Sequence, residues 1–275
     1  MLSLPQPPAT ATSSTPPIIS MQEDRHTLEK LLLHCYPGFG TSLDCLDDIK
    51  VVLAAATKYD MQAVLKHIRK WMVISPLFQA NLLAFYAIFC LQGWEAEARL
   101  AALNLLENKE FWLGSNHYVP ELENISAGSY YRLTIYHARC GAAARDTMQN
   151  LEWLDERLMP NESMVSHLSG YHDRRGCAIV KFRIGARTCD SCPKWFETYL
   201  RAVGEELVCR PSAATVAHSE LFDKAVLEGS SCDGCRSHLI PKMPELRNLF
   251  AAQVSEVVSK VQLDFVPPTQ KAVTE

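Results

Sequence analysis

The sequence has no run approaching the ~18 apolar residues of a membrane span. It also has no HExxH, P-loop, GxSxG or Rossmann glycine pattern. The first absence predicts a soluble protein and the second argues against an enzyme. Gly38-Phe39-Gly40 alone is too weak a signal to cradle a phosphate. Basic charge is not in excess either: 27 Lys and Arg stand against 31 Asp and Glu, a net charge of −4. Without a basic face to neutralise phosphates, nucleic acid is not expected as a partner, and neither is a membrane. Lys66-His67-Ile68-Arg69-Lys70 and Arg174-Arg175 read as solvated faces. No secretory signal precedes the 10 cysteines, so reduced thiols are expected, in the cytoplasm or nucleus. The sequons at Asn124 and Asn161 are then coincidental. The acid pairs Asp47/Asp48 and Glu205/Glu206 fit solvated helix surfaces better than acid–base catalysis, which needs convergent geometry.

What is present is mostly helical patterning. Residues 1–22 are rich in Pro, Ser and Thr and nearly uncharged, a composition that cannot bury a core, and they are expected to be disordered. A helix follows from an Asp24 N-cap through Tyr36 and stops at Pro37-Gly38. A second starts near Asp44 with Asp47 as capping-box acid, placing Leu46, Ile49, Leu53 and Ala56 on one stripe before a break at Tyr59-Asp60. A third carries Met61, Val64, Leu65, Ile68 and Met72 on one side. Leu82, Leu83, Tyr86 and Phe89 share the face of a further helix that stops at Gly93. Glu95 to Glu107 then returns as its antiparallel partner. His117 and Tyr118 read as loop anchors. A long helix runs from about Ala127 to Met148, with Ala142 to Ala144 allowing close packing, and the last helix spans Glu245 to Val261. Asn161 to Asp173 reads as a join, Cys177 to Ile184 alternates as one arm of a short hairpin, and 266–275 reads as a disordered tail.

The chemistry concentrates in two CxxC knuckles, Cys189-Asp190-Ser191-Cys192 and Cys232-Asp233-Gly234-Cys235. Roughly 40 residues separate them, well beyond the ~15–20 of a compact zinc ribbon, so spacing alone does not make a metal site. Geometry supplies the argument. Lys194 to Cys209 reads as a helix, Arg210-Pro211-Ser212 breaks it, and Ala213 to Glu228 reads as a second helix ending at Gly229. At ~1.5 Å per residue each spans about 24 Å, so the chain goes out and returns to the level at which it left. Both knuckles then stand at one end of a hairpin, and Cys189, Cys192, Cys232 and Cys235 could bind one structural Zn²⁺ at ~2.3 Å. Cys177, His172 and His238 are spare ligands nearby. Two alternatives stay open. Buried cysteines often act as small hydrophobes without metal. A thiol redox protein could use either CxxC pair, with the Cys192 thiolate favoured at a helix start, although the βαβ context of a thioredoxin-like motif is missing.

Thr27-Leu-Glu-Lys-Leu-Leu-Leu-His-Cys-Tyr-Pro-Gly38, Leu46-Asp-Asp-Ile-Lys-Val-Val-Leu-Ala-Ala-Ala-Thr-Lys-Tyr-Asp-Met61 and a helix through Trp71 carry a resemblance, which continues through Ser75-Pro-Leu-Phe78, Ala84 to Leu91, Glu97 to Ala102 and Tyr118 to Leu133. This order resembles the C-terminal half of a BTB/POZ domain and its helical extension, in the BTB-containing proteins abundant in fungi. A late paired CxxC followed by Trp195 and Tyr199 is similar to that family as well. The resemblance covers about residues 24 to 150. It implies an adaptor-like protein–protein interaction module. The strands and two helices that open such domains have no counterpart upstream of Asp24. Homodimerisation and docking to a cullin-type ubiquitin ligase are therefore not implied, and an exposed apolar face is expected.

The expected fold is thus mainly α: a truncated BTB-like half over 24–74, a helical extension over 75–160 forming an antiparallel array, and a Cys-rich helical module over 161–265 that includes a short β-hairpin. The expected function is non-enzymatic protein interaction with a zinc-stabilised C-terminal region.

Overall fold

The computed structural model describes residues 20–36, 43–108, 118–149, 151–154, 177–184, 187–217 and 219–268. The sequence expectations for the 1–19 tail, the Pro37-Gly38 stop, His117, the 161–173 join and residues 269–275 lie outside them. The protein is mainly helical with a small two-stranded antiparallel sheet. It divides into two compact units, Met1–Phe78 and Gln79–Glu275.

In the first unit, α1 (Arg25–Leu33) begins where the Asp24 carboxylate accepts the Thr27 N–H at 2.7 Å. This satisfies one of the donors a helix start leaves open. α2 (Leu46–Lys58) packs on α1 and on α3 (Gln62–Ile74). Its N-cap is Cys45 rather than the expected Asp44, and no side chain caps it. Asp47 and Asp48 instead face the helix dipole from the first turn. Ile49, Val52, Leu53, Ala56, Val64, Ile68 and Met72 form the core. Asp60 adopts a left-handed conformation (φ 52°) and ends α2 at the expected break. Around the core, Asp48 pairs with Lys30 and with His26 at 3.0 Å, while Glu23 pairs with Lys58 at 2.7 Å and accepts the Tyr59 hydroxyl. Those partners hold the Asp48 carboxyl down at about 2, Lys30 first and His26 next. The short α4 (Pro76–Ala80) carries the chain across the division.

The second unit is built on α5 (Leu82–Gln92), where every side chain from Leu83 to Cys90 is buried. The sequence pattern suggests one apolar face, but this stretch is covered on all faces, with the last turn reaching water at Leu91. Gly93, at φ 69°, closes α5 and turns the chain into the antiparallel α6 (Glu95–Leu105). α7 (Ala127–Gln149) follows and crosses α8 (Lys194–Cys209). They approach so closely at Gly141 that a Cβ there would lie 2.7 Å from the Val208 carbonyl oxygen. His137, one turn earlier, meets the Cys209 carbonyl at 3.0 Å and so satisfies the end of α8. After α8 come α9 (Ala213–Ala217), α10 (Ser219–Ser230), α11 (Asp233–His238) and α12 (Met243–Ser259). α12 docks through Leu246, Phe250, Val254 and Val258, and Trp153 stacks on Phe250 at 5.1 Å. No helix among the described residues is long and apolar enough to cross a membrane.

Candidate metal centre

Local sequence brings three thiols together. β1 (Ile179–Ile184) and β2 (Arg187–Pro193) form a tight antiparallel hairpin in which Ile179 faces Pro193. That register, one bulge included, carries Cys177, just ahead of β1, to the start of α8. The Lys194 N–H donates to the Ala178 carbonyl at 2.9 Å and fixes that junction. α8 then runs out and α10 returns antiparallel against it. At its end Gly229 lies against the Trp195 ring, where a Cβ would be 2.9 Å from two ring carbons. Only glycine permits this approach. Cys232 caps α11 and Cys235 lies three residues on, a spacing that puts both on one side of the helix.

The sulfurs of Cys177, Cys232 and Cys235 all lie within 4.8 Å of one another. The Cys177 and Cys235 sulfurs are 3.8 Å apart. A tetrahedral centre with ~2.3 Å metal–sulfur bonds sets its sulfurs ~3.8 Å apart, so the spacing suits a metal. The indole N–H of Trp195 donates to the Cys235 sulfur at 3.3 Å, the kind of outer contact that orients a ligand. Cys232 is 3% exposed and Cys235 0%, whereas Cys177 is half-buried. Hydrogen bonding with Cys235 lowers the Cys177 thiol, while hydrogen bonding with Cys177 and burial raise that of Cys235. A soft divalent ion would replace the thiol protons. The cluster could therefore bind a metal ion.

Known protein families, curated proteins and solved structures include no match to this chain.

Of the four ligands expected from sequence, Cys232 and Cys235 are in this cluster. Cys192, 1% exposed, donates to the Pro193 carbonyl at 3.6 Å and is not one of the three. Cys189 pairs with Phe182 in the hairpin backbone, and its side chain lies outside the described residues. Three steps along β2 from Cys189 to Cys192 match two along β1 from Phe182 to Val180, so the first knuckle carries a bulge in an extended strand. His238 is exposed on α11 and stands apart from the cluster, and His172 lies outside the described residues. Cys177 takes a principal place that the sequence reading gave it only as a spare. The alternation of Cys177 to Ile184 as one arm of a hairpin is the signal that points toward it, while the one-residue bulge that sets Pro193 opposite Ile179 is not legible in that pattern.

Proposed function

We propose that this protein is a non-enzymatic interaction module, BTB/POZ-like over residues 24–150, whose second unit is stiffened by a structural zinc ion held by Cys177, Cys232 and Cys235. The observation that carries the reading is the convergence of three thiols from two distant stretches, with a 3.8 Å sulfur spacing that fits a tetrahedral thiolate centre. Zinc in a structural site takes four ligands. The first knuckle, Cys189 to Cys192, would have to complete the set from β2, the strand that leads into α8, whose Trp195 touches Cys235.

The interaction role is supported by apolar side chains left in water on the first unit. Ile74 is 82% exposed, and Leu32, Tyr36 and Val51 are also exposed. The partner is another protein. Neither nucleic acid nor a membrane suits a chain of net charge −4 with no membrane-length apolar stretch.

Metal analysis of the purified full chain tests the site. One zinc per chain is expected, lost in Cys232→Ser and in Cys177→Ser with a fall in Tm of roughly 10 °C or more, because structural zinc adds folding energy directly. Cys45→Ser, at an exposed thiol outside the cluster, retains the metal. A metal-free wild-type chain, or cluster variants that keep both zinc and Tm, overturns the reading. Turnover of a disulfide substrate by the metal-free chain favours the redox alternative.

A further inference from the structure

We propose that the same three-thiol cluster is a peroxide-responsive switch in which Cys177 is oxidised first, Cys235 resolves it, and closure of a Cys177–Cys235 disulfide expels the metal. The proposal rests on the zinc reading above and adds to it a chemical class of regulator, a hydroperoxide.

Access selects the first sulfur. Cys177 is half-buried, while Cys232 and Cys235 are 3% and 0% exposed, so an incoming peroxide meets Cys177 before either partner. Distance selects the second. The Cys235 sulfur stands 3.8 Å from that of Cys177, and the two must close to ~2.05 Å to bond. Chain topology makes this closure feasible. Cys177 enters from the short arm ahead of β1, outside any helix or strand, whereas Cys235 is fixed in α11 and held by the Trp195 N–H. Cys177 is the sulfur that can move. The pairing runs between the two stretches and not within either CxxC.

The chemistry balances. The Cys177 thiolate attacks the distal peroxide oxygen, the O–O bond breaks, and the alkoxide leaves and takes a proton. This yields a sulfenic acid at Cys177 and an alcohol, or water when the oxidant is hydrogen peroxide. The Cys235 thiolate then attacks the Cys177 sulfur, the S–O bond breaks, and hydroxide leaves as water with a second proton. Two thiolates have lost two electrons to the peroxide, and the zinc ion departs without change of charge, having lost two of its anionic ligands.

The experiment uses the full chain purified under reducing conditions, with zinc content measured first. It is exposed to about a tenfold excess of hydrogen peroxide, released zinc is followed with a chromophoric chelator, and disulfides are mapped on alkylated peptides. The expected result is release of the bound zinc, a Cys177–Cys235 linked peptide, and full recovery on adding a dithiol and zinc. A Cys232–Cys235 link, or oxidation of Cys177 that stops short of any link, overturns the proposal. The two readings fail separately. A zinc-loaded chain whose Cys177 and Cys235 stay unlinked sinks the switch and keeps the site, while a chain without zinc that still forms the link sinks the site and keeps the thiol pairing. In Cys177→Ser, Cys232 and Cys235 should resist the same peroxide dose at least tenfold longer. If that variant does not fold, the wild-type linkage map decides alone.

Discussion

Replacing Gly141 by alanine sets two physical effects against each other with opposite signs. Gly141 lies inside α7, where Gly→Ala ordinarily stabilises a helix by ~0.5–1 kcal/mol. Here the added Cβ would stand 2.7 Å from the Val208 carbonyl oxygen, closer than real Cβ contacts come. That oxygen belongs to the backbone of α8 and cannot rotate away, so α7 and α8 must separate. Forcing extra volume into a packed crossing costs ~1–3 kcal/mol. The strain should exceed the propensity gain and leave a net destabilisation of about 1–2 kcal/mol, a fall in Tm of roughly 2–8 °C. Gly128→Ala in the first turn of the same helix is the control. Its Cβ would meet the end of the flexible Arg132 side chain at 3.3 Å and the Ser126 hydroxyl at an ordinary contact distance of 3.6 Å, so that variant should be unchanged or slightly stabilised. Thermal and urea unfolding followed by circular dichroism measure both. The crossing argument fails should Gly141→Ala unfold at or above the wild-type temperature, or track Gly128→Ala.

Two further substitutions probe the polar interior. His137 is 7% exposed and burial pushes its pKa from 6.5 down to about 4. The neutral ring is therefore the folded form, and its contribution is present above pH ~6.5 and lost as pH falls toward 4, on the order of 3 kcal/mol in all. Urea midpoints between pH 7.5 and 4.5 should show that slope, and His137→Gln should flatten it; an identical slope in the variant would assign the acid sensitivity elsewhere. The Tyr199 hydroxyl is buried without a hydrogen-bond partner among the described residues, and burial raises it to about 12. Tyr199→Phe should thus leave stability unchanged or raise it by up to ~1 kcal/mol, whereas a loss of that size would reveal a hidden partner.

Local chemistry made much of this fold readable from sequence. Pro193 and Arg210-Pro211 bracket α8, and its bounds came out as Lys194–Cys209 in both sequence and structure. Gly93 closes α5 because a left-handed residue is needed there. The region expected as one helix from Ala213 to Glu228 is helical over α9 and α10, with His218 between them outside the described residues. β2 was not legible. Arg187-Thr-Cys-Asp-Ser-Cys-Pro193 has no apolar alternation, and it is extended only because the readable β1 pairs with it. That same pairing brought Cys177 into the cluster, so the candidate site was half visible. The CxxC of α11 is a local pattern, while the third thiol depends on a non-local register. The enclosure of α5 was likewise hidden, since a continuous apolar run fits either one face or all faces of a helix.

The enclosure of α5 has a consequence for how this protein opens. With Leu83 to Cys90 covered on every side and the Tyr86 hydroxyl tied to the Ser129 carbonyl at 2.9 Å, no partial loosening of the surface helices wets this segment. Its backbone amides should be among the last in the second unit to take up deuterium, exchanging only when the whole unit comes apart.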